Sequence, residues 1–132
     1  MKIIAEKLRD LELRIAAERG TFSFFALFLR EDSPDKWDLV ASSAWLETNK
    51  EEGLSYLAKM LRTALAADEL MTLSRIVTID QNDPALQAIH KALKTEHSVI
   101  EVKDVNFFGL QIKHAYVITS QHEAETVGRE AK

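Results

Sequence analysis

Near the start of the chain Ile4, Leu8, Leu11 and Ile15 recur at helical spacing, with Glu6, Lys7, Arg9, Asp10, Glu12 and Arg14 between them. That period predicts an amphipathic helix whose charged residues face water. Gly20 follows Arg19 and suits the helix end, where glycine adopts the left-handed conformation without a Cβ clash. The next run, Thr21 to Leu29, is apolar on both alternating faces. It therefore predicts an interior strand covered on both sides.

A polar stretch around Pro34 and Asp35 reads as a turn, and Trp37 to Ala41 as a strand returning antiparallel, because so short a link cannot make a parallel crossover. Thr48 and Glu51 match a capping box. They open a helix that carries Leu54, Leu57, Met60, Leu61 and Leu65 on one side. A strand from Leu73 to Ile79 ends at Asp80. Asp83-Pro84 then combines an N-cap with a proline at the first helical position, ahead of a helix carrying Leu86, Ile89, Ala92 and Leu93.

A strand from Val99 to Val102, a link at Asp104 to Asn106 and a long strand from Phe107 to Thr119 complete the pattern. Leu110, Ile112, His114, Tyr116 and Ile118 are expected to share one face of that last strand, with Gly109 marking a bulge. The order α-β-β-α-β-α-β-β predicts an α/β (α+β-like) domain with a mixed sheet of about five strands and helices packed on it. Both strand–helix–strand passages favour right-handed parallel connections.

Composition adds bounds. The chain has 132 residues, 46% of them hydrophobic and 29% charged, enough for one core without staples. One domain over 1–120 is expected, followed by a polar, flexible tail over 121–132. The net charge of −4 and the absence of any Lys/Arg run argue against a duplex nucleic-acid partner. No cysteine is present, which removes disulfides, thiolate catalysis and Cys-built zinc sites. No signal-like or membrane-spanning run is visible, and the expectation is a cytoplasmic protein without a membrane partner.

The specific catalytic motifs are missing, and the four glycines do not cluster. Four weaker constellations remain. Pro34-Asp35, with Asp38 nearby, and Glu101-Val102-Lys103 resemble the two halves of the PD-(D/E)xK nuclease signature, although two helices and a strand separate them here. The resemblance implies a metal-dependent phosphoester hydrolase in which acidic groups hold Mg²⁺ and a lysine assists. Asp80, considered with Asp38 and Asp104, follows a strand, where ligands of open α/β sheets bind. That placement points to a small-ligand sensor with a pocket at the strand end. His114 on an apolar face is a candidate base or ligand, and His90 and His97 beside Glu96 form a weak metal pair. Ser42-Ser43 lacks flanking glycines and reads as a loop or helix start.

Phe22, Phe24, Phe25, Phe28, Phe107, Phe108, Trp37 and Trp45 give more aromatic surface than three helices readily cover. A face left uncovered suits a homodimer or another protein partner. The leading expectation is therefore a non-catalytic binding or regulatory module that self-associates. No cofactor is expected, with Mg²⁺ entering only under the hydrolase alternative.

Overall fold

The computed structural model describes residues 1–121. Helix α1 (Lys2–Arg19) leads into strands β1 (Phe24–Arg30) and β2 (Trp37–Ser42), then the short helix α2 (Ala44–Thr48) and helix α3 (Lys50–Ala64). A single turn α4 (Ala67–Leu70), strand β3 (Leu73–Thr78), helix α5 (Pro84–Ala92) and strands β4 (Ile100–Phe107) and β5 (Leu110–Ser120) follow. The sheet order is β3-β2-β1-β5-β4. Among the described residues only β2 and β3 are parallel; every other neighbouring pair is antiparallel. The expected mixed five-stranded sheet is present.

Its centre is β1, and the alternation of β1 side chains divides the core into two layers. Phe25 and Leu27 join Leu39, Tyr116 and Ile118 beneath α1 and α3, which contribute Leu8, Leu11, Ile15, Leu57 and Leu61. Phe24, Ala26 and Phe28 point the other way, joining Val40, Ile112, Ala115 and Val117 beneath Leu86 and Ile89 of α5. Burying a side chain of this size contributes roughly 1.5–3 kcal/mol, so β1, apolar from Phe24 to Leu29, supports both layers at once. Gly20 does end α1, with φ of 118° and its N–H donating to the Ala16 carbonyl.

Several local expectations are corrected. Asn49, not Thr48, caps α3: its side chain accepts the Glu52 N–H at 3.2 Å, while the Thr48 hydroxyl donates back to the Ala44 carbonyl. The Asp104–Asn106 link belongs to β4, and the hairpin turn lies at Phe108-Gly109 with φ of 57° and 74°. Gly109 is thus a turn residue and not a bulge. The β4–β5 pairing skips Asp104 and Lys113, and the β1–β5 register shifts between Leu29 and Arg30. Ile112 consequently faces α5 while Tyr116 and Ile118 face α1. The second strand–helix–strand passage is not a parallel unit: α5 carries the chain across the sheet from one edge, β3, to the other, β4.

The aromatic residues are largely inside. Phe22, Phe24, Phe25, Phe28 and Trp37 are buried, whereas Trp45, Phe107 and Phe108 are half-buried. Among the described residues no helix is long and apolar enough to cross a membrane. Of the expected tail, only Gln121 falls within the described residues. Its N–H donates to the Ser23 carbonyl, and its side-chain amide to Phe22 and Glu96.

Candidate functional site

The parallel strands β2 and β3 run side by side, with Val40 opposite Val77 and Ala41 opposite Thr78. Beyond these ends the chain takes opposite directions. From β2 it enters α2 and α3, whose Leu46, Leu57 and Leu61 pack on the α1 side of the sheet. From β3 it enters α5, whose Leu86 and Ile89 pack on the other side. Two neighbouring strands whose connections leave on opposite faces open a crevice between them, the place where ligands of open α/β sheets bind. A cavity of about 430 Å³ lies there, lined by Ala41, Ser42, Ser43, Leu46, Glu47, Lys50, Thr78, Ile79 and Asp80.

Local chemistry holds its walls. Ser43 takes an extended backbone and its Oγ accepts the Leu46 N–H at 3.2 Å, capping α2 as a serine does at a helix start. Glu47 Oε2 accepts the Gln81 N–H at 2.7 Å, and Asp80 Oδ1 accepts the Asn82 N–H at 2.8 Å. Ser23 Oγ donates to Gln81 Oε1 at 2.6 Å, and Gln87 Nε2 to the Gln81 carbonyl at 2.8 Å. The loop after β3 is thereby tied to α2, to the residue preceding β1 and to α5 together. Asp83 caps α5 through the Ala85 N–H at 2.8 Å, with Pro84 next, as its sequence implies.

Two lining residues are not committed to this scaffold. The Ser42 hydroxyl is buried and has no hydrogen-bond partner among the described residues. Such a group costs about 1–3 kcal/mol when left unsatisfied. Lys50 is exposed and forms no ion pair among the described residues.

The structure brings Asp80 to this cavity but disperses the other candidates. Asp38 starts β2, at the opposite end of the sheet from Asp80, and is buried between Arg30 (Nε–Oδ2 3.1 Å) and Arg75 (Nε–Oδ1 3.3 Å). Asp35 is exposed in the preceding turn, and Asp104 is exposed on the edge strand β4. Asp38 pairs with Phe28 and shares its α5-side face, whereas Glu101 pairs with Tyr116 on the α1 side. Three strand spacings, about 14 Å of sheet, also separate β2 from β4. Asp38 therefore does not meet Glu101 and Lys103 at one metal position. Among the described residues no group of three His, Asp or Glu side chains is arranged to hold a metal ion.

His114 is occupied differently from a free base. Its Nε2 lies 2.5 Å from Glu101 Oε2, with Lys103 Nζ 4.0 Å from the same oxygen. The ring packs against Trp37 and Tyr116 at centroid distances of 5.4 and 4.8 Å. Burial, reinforced by Glu101, raises the Tyr116 hydroxyl above its ordinary pKa. His90 and His97 serve separate contacts: His90 Nε2 lies 2.9 Å from the Ser23 carbonyl, and His97 Nδ1 lies 2.5 Å from Glu12 Oε1.

Glu12 is the polar residue that pattern reading places wrongly. It is 0% exposed, with Thr119 Oγ1 donating to its second oxygen at 2.7 Å. Glu47, Lys50 and Thr78 also carry no sequence signal of their own. The parallel strand pair offers the one available clue, and it becomes specific only once the faces taken by α3 and α5 are known. Comparison with known proteins finds no match: no protein-family model, curated protein or solved structure is similar to this chain.

Proposed function

We propose that this protein is a non-catalytic binding module that holds a small molecule in the crevice at the carboxyl ends of β2 and β3. The observation that carries this reading is the cavity at the point where the β2 and β3 connections diverge. Its volume lies in the range of small-ligand sites, and its walls combine apolar and hydrogen-bonding groups. The surrounding loop is fixed by protein hydrogen bonds, which lowers the ordering cost of binding. Among the described residues near the crevice no nucleophile–base pair is formed: Ser43 caps a helix, and the carboxylates of Glu47 and Asp80 accept backbone N–H groups.

A thermal-melt screen against a small-molecule library tests the reading, because a ligand of the folded state raises its stability. The variant Thr78→Tyr, which fills the crevice, is run in parallel. Compounds that raise the melting temperature of the parent and not of this variant are expected; equal rises in both would place binding elsewhere and contradict the proposal.

Self-association is a second reading, favoured by the hairpin tip, where half-buried Phe107 and Phe108 adjoin Leu110 at 38% exposure. Sedimentation at micromolar concentration gives a dimer under this reading, and a monomer counts against it.

A further inference from the structure

We infer that the crevice takes a small organic carboxylate bearing a hydroxyl or amino group and a short apolar side chain. This deepens the proposed function and rests on the crevice being a small-ligand site.

Three charged side chains line the cavity, and their hydrogen bonds distinguish them. Glu47 uses one oxygen on the Gln81 N–H at 2.7 Å and has the Gln81 side-chain amide 3.5 Å from the other. Asp80 uses Oδ1 on the Asn82 N–H. Both acids are structural fasteners of the loop. Lys50, with no ion pair among the described residues, is the cation left to meet a ligand, and a lysine ammonium favours an anionic group.

The charge of that anion is limited. Glu47 and Asp80 keep two negative charges at the cavity wall, which disfavours a dianionic phosphate more than a single carboxylate. Phosphate sites also draw on runs of backbone N–H groups in glycine-rich loops, and the segments 41–50 and 78–83 contain no glycine. The rest of the lining sets the remainder of the ligand. Ser42 has a buried hydroxyl in need of a partner, and Asp80 Oδ2 has no hydrogen bond among the described residues, so a hydroxyl or ammonium beside the carboxylate is matched. Ala41, Leu46 and Ile79 provide the surface for a short hydrocarbon chain.

Isothermal titration of the full chain tests this with a panel of 2-hydroxy, 2-oxo and amino acids of two to six carbons, their neutral amides, and inorganic phosphate. At least one acid is expected to bind at least tenfold more tightly than its amide and than phosphate. Lys50→Gln is expected to lose about tenfold in affinity for that acid, with its melting temperature unchanged. Ser42→Ala loses severalfold, again without a fall in melting temperature. Absence of binding by every acid overturns the inference, as does an amide binding as tightly as its acid or an unaffected Lys50→Gln. In each of these cases a neutral compound whose stabilisation is lost in Thr78→Tyr leaves the crevice reading standing, so the two failures are distinguishable.

Discussion

Glu12 shows how much a single residue can depend on distant chain. It sits on α1 among charged neighbours, where the pattern assigns it to solvent, yet it is fully buried against Thr119 and His97. His97 adopts φ of 54°, and its own N–H donates to Thr119 Oγ1 at 3.2 Å. One carboxylate thus joins α1, the loop before β4, and β5. Removing one partner of such a buried group leaves the others unsatisfied. Glu12→Ala is predicted to lower the unfolding free energy by about 3 kcal/mol, with Glu12→Gln losing less; urea titrations monitored by circular dichroism measure both. Equal stability of Glu12→Ala and parent would contradict the role. A second prediction concerns pH. Burial, together with the hydrogen bond to Glu18 at 2.6 Å, pushes the Tyr56 hydroxyl up to about 12. The unfolded chain releases this proton near its ordinary value of 10.0, so the stabilisation is whole below pH 10 and is lost as pH rises toward 12. Urea midpoints across that window are expected to fall, and to fall less in Tyr56→Phe.

Element boundaries were legible where a residue has a single local job. Gly20, Asp83 and Pro84 mark helix ends as their chemistry requires. They were misread where two neighbours could do the same job. Thr48 and Asn49 both offer an oxygen to an orphan N–H, and the separate short helix α2 leaves Asn49 in position. The β4–β5 hairpin is the larger case. Phe108 is a poor residue for a positive φ, and sequence alone places it in a strand; in the fold its ring lies 6.0 Å from Phe24 and 6.2 Å from Phe28, so core packing offsets the local strain. Gly109, at φ of 74° with no atom near where a Cβ would stand, isolates the conformational term. Gly109→Ala is predicted to cost about 1 kcal/mol, read as a lower urea midpoint at unchanged slope. A midpoint equal to that of the parent would mean that the turn relaxes.

At the scale of the molecule the class of fold was legible because strand and helix periods differ and alternate along the chain. Strand order was not, because it depends on which face each connection crosses. The α3 connection returns β3 beside β2, while α5 spans the opposite face to reach the far edge. That divergence creates the crevice and recruits Lys50, Glu47 and Thr78 from segments that carry no motif. It also separates Asp38 from Glu101, whose apparent kinship in sequence has no counterpart in space. The crevice is therefore a property of topology, with Asp80 its only member that strand-end reasoning singled out in advance. The most direct test is an amide chemical-shift titration of the ¹⁵N-labelled protein with the tightest-binding acid of the panel. The account predicts saturable shifts concentrated at residues 41–50 and 78–82, with the β4–β5 hairpin tip unmoved. Shifts concentrated at that tip, or no saturable shifts at the crevice, would contradict it.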